Sequence, residues 1–192
     1  LTYNIVREQT KSGKVTSIGC ILNYIENDPE TAAVRRQALY DRVNAILAEA
    51  AAITDKVERE KFFYEQVIFS TEYDYSQLIL ANINLDTHTA YGCLVEGSAV
   101  CDGYAKAFAL RCCYGGIEAW TESGYLDNIS HAWTAVKIDG EIYYCDPTTD
   151  DAANRYYDEN LKVQLNPDDP ENYTALPAVD ALLYFNLTRA EI

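Results

Sequence analysis

The order of helix-forming and strand-forming segments constrains the fold of this 192-residue chain most. Residues 31–53, 55 to about 73 and 101–114 have patterns typical of helices, and Gly115-Gly116 ends the last of these segments. After residue 117 the pattern becomes strand-like, and Asp139-Gly140 is a strong signal for a hairpin turn. Helices first and strands later predict an α+β fold, with helices packed on an antiparallel β-sheet.

Turn and cap residues set the expected boundaries of the segments. Two N-terminal strands are expected on either side of Lys11-Ser-Gly-Lys14, and a helix start at Asp28-Pro-Glu-Thr31. We predict strands over 2–9, 14–25, 117–123, 132–138, 141–145 and 181–187. Helices are predicted over 31–53, from 55 to about 73 and over 101–114, with a short helix carrying Tyr91 and Leu94. The remaining segments are predicted as irregular structure over 76–90, a turn at 146–148 and a long loop over 150–175. The length and the 48% hydrophobic content predict a single domain over 1–192.

The charge of the chain excludes two classes of partner. Fifteen basic and 30 acidic residues give a net charge of -15, which repels nucleic acid and anionic membrane surfaces. No apolar run is long enough to span a bilayer, so we expect no membrane insertion. The first residues lack the pattern of a signal peptide, although the start without Met leaves a removed targeting segment open. A secreted or cell-surface location is favoured, with a cytoplasmic one as the alternative.

The six cysteines argue against metal and redox chemistry. None of them forms a C-x-x-C pair, so we expect no zinc site, no other metal and no cofactor. If one cysteine is a nucleophile, five remain and cannot all pair in disulfides. Cys20, Cys112, Cys113 and Cys145 are interpreted as buried core residues, because cysteine is a common small hydrophobe.

A Cys, a His and an Asp, each in its own motif, predict nucleophilic catalysis. Cys101 follows Glu96-Gly-Ser-Ala-Val100 and opens a predicted helix, whose N-terminal dipole and free N–H groups favour a thiolate and a developing oxyanion. A thiol nucleophile needs a base and a group that orients the base. His131 and Asp146 supply these types, and the turn at 139–140 brings them to the same end of adjacent strands.

Within this arrangement each residue also has a structural alternative. Taken alone, Cys101 could be a buried core residue. His131 could occupy a surface position at the start of a strand, and Asp146 could belong to a turn. In the catalytic reading Asp146 accepts the Nδ1–H of His131, Trp133 shields the imidazole, and the Tyr91 hydroxyl contacts substrate or oxyanion. His88, in a polar segment, is expected to be solvated.

Together these motifs resemble the transglutaminase-like superfamily, in particular its bacterial branch. The similar stretches are Thr89-Ala-Tyr-Gly-Cys-Leu-Val-Glu-Gly-Ser-Ala-Val-Cys-Asp-Gly-Tyr-Ala-Lys-Ala-Phe108, His131-Ala-Trp133, Val136-Lys-Ile-Asp-Gly140, Tyr144-Cys-Asp-Pro-Thr148, Tyr73-Asp-Tyr75 and Tyr184-Phe-Asn-Leu-Thr188. The resemblance implies a papain-like α+β core over 55–192, preceded by an N-terminal extension over 1–54. It also implies a Cys101–His131–Asp146 triad and a lower-ranked substrate or oxyanion role for Tyr91. The chain departs from the family at Thr134, where Asn is usual, and at Thr149, where Trp is frequent.

The expected function is cysteine-dependent acyl transfer or amide hydrolysis on a peptide or protein substrate. Peptidase, deamidase and transglutaminase reactions all fit the triad, and hydrolysis is favoured because water is always present. The alternative is a catalytically silent module on the same fold that binds a peptide or a cell-wall partner.

Overall fold

The computed structural model describes most of the chain in two compact units, Leu1–Arg36 and Gln37–Ile192. The described residues are 2–10, 15–23, 26–78, 84–126, 128–154, 157–158, 163–164 and 182–192. The predicted single domain with a boundary at residue 54 stays a prediction.

The first unit contains an antiparallel hairpin and the start of a helix. Strand β1 spans Thr2–Gln9 and pairs with β2, Val15–Asn23, so both predicted strands are confirmed. The predicted turn at Lys11–Lys14 lies outside the described residues. Helix α1, Pro29–Glu49, begins in this unit, one residue after Asp28, whose carboxylate accepts the Thr31 N–H at 2.7 Å.

The first three helices of the chain lie close to their predicted boundaries. The remainder of α1 leads into a short 3₁₀ turn over Ala50–Ala52, and α2 spans Lys56–Ser70. Asp55 caps α2 by accepting the N–H groups of Val57 and Glu58 at 2.9 and 3.0 Å. Helix α3 runs from Cys101 to Tyr114, as predicted. Among the described residues, no helix is both long and apolar enough to cross a membrane.

Short elements connect α2 to α3 and determine where α3 begins. Two-residue strands β3, Glu72–Tyr73, and β4, Ser98–Ala99, pair in parallel. Between them lie 3₁₀ helices over Tyr75–Leu78 and Leu85–His88 and a π-helix over Gly92–Glu96, which takes the place of the predicted short helix. These short elements agree with the irregular structure predicted there, of which residues 79–83 are outside the description.

The sheet is three-stranded and antiparallel, in the order β5-β6-β7. Strand β5 spans Glu118–Leu126, β6 Ile129–Ile138 and β7 Glu141–Cys145. Asp139 and Gly140 have φ values of 52° and 97°, the left-handed backbone that a tight hairpin turn requires. The α+β class, with helices on an antiparallel sheet, is therefore confirmed.

The core lies between α2, α3 and the sheet. The rings of Tyr64 from α2 and Phe108 from α3 meet edge to face with centroids 5.2 Å apart, and Val136 of β6 is fully buried with them. The buried Thr134 hydroxyl donates to the Ala105 carbonyl at 3.0 Å, which ties β6 to α3. This packing places the first turn of α3 at one end of the sheet.

The structure corrects the prediction for the segment after β7. Residues Pro147–Asn154 form helix α4, where a turn followed by a loop was predicted. The missed signals are an Asp at the N-cap, which accepts the Thr148 and Thr149 N–H groups at 3.1 and 3.3 Å, and Pro at the first helical position. The rest of the predicted loop is described only as two-residue strands β8, Tyr157–Asp158, and β9, Val163–Gln164.

The predicted final strand over 181–187 is also wrong within its described part. Only Leu187 pairs with the sheet, through two hydrogen bonds with Tyr144 at 2.8 and 2.9 Å. The Asp150 carboxylate binds two backbone N–H groups of this segment, and Asn186 has a φ of 54°. Side-chain anchors and this left-handed residue therefore replace an extended ladder.

A buried carboxylate fastens the C-terminal segment to α2. Glu60 is 0% exposed and accepts the Asn186 side-chain amide at 3.0 Å and the Cys145 thiol at 3.5 Å. Burial raises the pKa of Glu60 to about 7, although both hydrogen bonds act in the opposite direction. Between pH 4.5 and about 7, the folded protein therefore keeps a proton on Glu60 that the unfolded chain has released.

We expect Glu60→Gln to remove a pH dependence from the free energy of unfolding. Because the folded-state pKa is raised, the stability linked to Glu60 is complete below pH 4.5 and is lost as the pH rises through about 7. Relative to the variant, the parent should lose on the order of 3 kcal/mol across that window in urea titrations. Glu58→Gln, on the exposed side of α2, is the matched control. Parallel pH curves for parent and Glu60→Gln would contradict the prediction.

Candidate active site

Cys101 is the first residue of α3 and is partly buried. Its N-cap is Val100, which provides no side-chain cap for the N–H groups of the first turn. Two backbone hydrogen bonds fix the approach to it, from Val100 N–H to the Thr87 carbonyl at 3.0 Å and from Asp74 N–H to the Ala99 carbonyl at 2.9 Å. The thiol is therefore held at the positive end of the helix dipole.

His131 and Asp146 form a close, shielded pair. His131 Nε2 lies 2.7 Å from Asp146 Oδ2, and the two side chains are only 12% and 5% exposed. Cys101 also interacts with His131 and adds to the rise in its pKa. Burial alone lowers the pKa of His131, but the hydrogen bonds and charges of Asp146 and Cys101 outweigh it and raise that pKa to about 10.

The nitrogen that faces the carboxylate differs from the expected one. The sequence argument assigned Nδ1 of His131 to Asp146, whereas the structure pairs Nε2 with it. The ladder between β6 and β7 ends at the pair Thr134–Cys145, so Asp146 would lie opposite residue 133. His131 is two residues farther along β6, and its distal nitrogen spans that offset.

Asp146 is fixed by more than the histidine. Oδ1 accepts the N–H groups of Thr148 and Thr149, and Oδ2 also accepts the Thr149 hydroxyl at 2.6 Å. Its own N–H donates to the Tyr184 carbonyl at 2.9 Å. Thr149, one of the two departures from the family pattern, thus contacts the carboxylate directly.

Trp133 lies beside the histidine, with ring centroids 6.3 Å apart. Its ring covers Gly124, which pairs with His131 across β5 and β6, and a Cβ at that position would come within 2.5 Å of the indole. A glycine at this position therefore leaves room for the indole beside the imidazole, with the two rings tilted by 36°. The shielding role of Trp133 stays a prediction.

Tyr91 and Tyr73 differ in their relation to the nucleophile. Tyr91 is partly buried at the start of the π-helix, and its predicted substrate or oxyanion role stays a prediction. Burial raises the pKa of Tyr73, and the charge of Cys101 raises it further, which places this phenol near the thiol. The Tyr73-Asp-Tyr75 motif was visible in the sequence, but its position depends on the pairing of β3 with β4, which no local pattern reveals.

The other cysteines separate into buried and exposed thiols. Cys93, Cys112 and Cys145 are buried, and burial raises the pKa of all three, that of Cys93 to about 12. Cys113 is exposed, which corrects its predicted core position, because it lies at the C-terminal end of α3, next to the last residue of the helix. The side chain of Cys20 is outside the description. Within the described residues, no group of three His, Cys, Asp or Glu side chains is arranged to hold a metal.

We expect Asp146→Asn to lower the pKa of His131 by at least about one unit, because burial then acts against a weaker hydrogen bond and one charge fewer. In the parent, the pair contributes its full stability below pH 6.5 and loses it as the pH rises through about 10. Imidazole resonances followed by NMR measure the titration, and His88, the other histidine, is the internal reference. An unchanged titration of His131 would show that Asp146 does not hold the proton there.

Comparison with known proteins gives a family and a fold. One crystal structure, described as a TGase, is 17% identical with a TM-score of 0.53, and the match covers 66% of this chain and 35% of that chain. A second, described as a candidate protease from Parabacteroides distasonis, is 11% identical with a TM-score of 0.39. This match covers 74% of this chain and 35% of that chain. The chain thus spans about a third of either structure.

The first of these structures supports the fold alone, since its identity to this chain is low. No curated protein matches the chain. The profile of the transglutaminase-like superfamily matches residues 44–147, which include α2, α3 and the sheet. The chain therefore belongs to the transglutaminase-like superfamily.

Proposed function

We propose that the protein is a cysteine-dependent enzyme that cleaves or transfers amides of a peptide or protein substrate through Cys101, His131 and Asp146. The observation that carries the proposal is the His131–Asp146 pair at 2.7 Å, whose imidazole also interacts with Cys101 at the start of α3. A nucleophile, a base and an orienting carboxylate in this order are what thiol-dependent acyl transfer needs.

The first step forms a thioester. The Cys101 sulfur attacks the amide carbon, the C–N bond breaks, and the imidazolium of His131 gives its proton to the departing nitrogen. With its pKa raised to about 10, His131 is protonated at neutral pH and therefore begins as the acid. Backbone N–H groups of the first turn of α3 and the Tyr73 hydroxyl are the candidate donors to the oxyanion.

The second step releases the acyl group. Once Cys101 is acylated, its negative charge no longer supports the imidazolium, so the pKa of His131 falls. His131 then takes a proton from water or from an amine, which attacks the thioester carbon, and the C–S bond breaks to restore the thiolate. Water gives hydrolysis and an amine gives transfer, and we favour hydrolysis because it needs no second binding site.

The substrate is proposed from chemistry and charge. The net charge of -15 disfavours acidic macromolecules and suits neutral or basic peptides, including those associated with a cell wall. The solved TGase supports the fold only, so the donor amide and the acceptor are left to experiment.

Alkylation by iodoacetamide at mildly acidic pH, with peptide mapping, tests the nucleophile. We expect rapid labelling at Cys101, and a loss of that rapid phase in His131→Ala, because the imidazolium stabilises the thiolate. Cys113 is the matched internal control, since it is exposed and makes its hydrogen bond to a backbone carbonyl, Ala119 O at 3.2 Å.

Turnover is then measured on glutamine-amide and other peptide substrates, with and without an added amine. We expect Cys101→Ser to lower kcat/KM by at least about a thousandfold. If Cys101 is alkylated no faster than Cys113, the catalytic proposal fails. A silent peptide-binding or cell-wall-binding module then becomes the leading function.

A further inference from the structure

A second charged cluster lies directly beside the nucleophile. Asp102, the residue after Cys101, binds His88 Nδ1 through Oδ1 at 2.8 Å and Lys106 Nζ through Oδ2 at 2.8 Å. Lys106 Nζ also donates to the His88 carbonyl at 2.6 Å. Both oxygens of the carboxylate are thus engaged, and the two partners are joined to each other. The proposed reaction uses none of these three side chains.

The cluster is fixed by close backbone packing. The 3₁₀ helix Leu85–His88 lies against the first turn of α3, where the Thr87 carbonyl accepts the Val100 N–H at 3.0 Å. At Gly103 a Cβ would come within 2.2 Å of that same carbonyl oxygen, so only glycine permits this approach. His88 therefore reaches Asp102 from a segment that cannot move away without opening the start of α3.

The charge of Asp102 poses an electrostatic problem for the nucleophile. An acidic residue in the first turn stabilises a helix. A bare carboxylate next to Cys101, however, repels the thiolate that the reaction needs. Tyr73 on β3 interacts with the charges of both Cys101 and Asp102, which places them in one electrostatic neighbourhood. Two cationic or donating partners on Asp102 offset that repulsion.

We propose that His88 and Lys106 are positioning residues for Cys101, which act by binding and neutralising the Asp102 carboxylate. The inference rests on the proposed function, because it concerns the reactivity of the same thiol. The groups that face Asp102 are His88 from the 3₁₀ helix, Lys106 from α3 and Tyr73 from β3, and His131 faces the thiol itself. The partly exposed ion pair alone would add little to stability, so its effect is expected in reactivity.

The pH profile of Cys101 alkylation in the full chain tests this inference by a charge cycle. Lys106→Met removes a positive charge that offsets the Asp102 carboxylate, so we expect the midpoint of the profile to rise by about half a pH unit. At a pH below the midpoint, this shift corresponds to alkylation that is about threefold slower. Asp102→Asn leaves the two partners without the carboxylate, so the midpoint should fall by a similar amount. The double variant should lie close to the parent.

Two further sets of variants separate electrostatics from folding. Lys137→Met removes the same charge from an exposed pair with Glu118 on the sheet, and we expect no shift from it. His88→Gln keeps a donor for Asp102 and should stay near the parent, whereas His88→Ala should shift the midpoint upward like Lys106→Met. Thermal unfolding of each variant reports any general loss of structure, which by itself would not produce shifts of opposite sign.

The inference is overturned if Lys106→Met moves the midpoint no more than Lys137→Met, or if Lys106→Met and Asp102→Asn move it in the same direction. Its failure differs from failure of the proposed function. The proposed function fails when Cys101 shows no advantage over Cys113 or when no amide is turned over, whereas the charge cycle is read from alkylation alone. Opposite shifts that cancel in the double variant support the inference whether or not a substrate is found.

Discussion

The interaction on which the rest of the site depends is the set of hydrogen bonds made by the Asp146 carboxylate. One oxygen caps α4, and the other accepts from both His131 and the Thr149 hydroxyl. The same group therefore starts a helix, ends a strand and orients an imidazole. The backbone cap of α4 and the ion pair use separate oxygens of the carboxylate, so both sets of hydrogen bonds form at the same time. The carboxylate therefore holds both the imidazole of His131 and the first turn of α4.

This arrangement rests on a layer of buried polar groups, formed by Glu60, Tyr64 and Asp150 together with the partly buried Asn186. Burial of this layer disfavours charge on its two carboxyls. Burial raises the pKa of Glu60 to about 7 and that of Asp150 to about 6, so both carboxyls disfavour their charged forms in place. The Tyr64 hydroxyl donates to Asp150, and Asn186 donates to Glu60, so neither group is left unsatisfied. The layer links α2 to the segment that follows α4, where the rings of Tyr64 and Phe185 also pack edge to face with centroids 5.1 Å apart.

The elements with local determinants were predictable from the sequence. A Gly-rich entry and a Gly pair bound α3, and Asp139-Gly140 forms its turn from two residues that tolerate a left-handed backbone. Features set by distant contacts were not predictable. The parallel pairing of β3 with β4 brings Tyr73 to the thiol, and the strand offset selects Nε2 of His131. Helix α4 was missed although its cap residues were present, because the same Asp-Pro pattern also forms turns.

The anchoring of Asp146 has a consequence for the order in which the chain can mature. Its backbone N–H is bonded to the Tyr184 carbonyl, and Tyr144, two residues before it, pairs with Leu187. The partners of the Asp146 carboxylate, His131, Thr148 and Thr149, all precede these two C-terminal partners in the chain. A growing chain therefore contains every contact of the carboxylate before it contains the contacts that hold the backbone of Asp146. The orientation of the histidine and the attachment of β7 to the C-terminal segment thus rest on different parts of the chain.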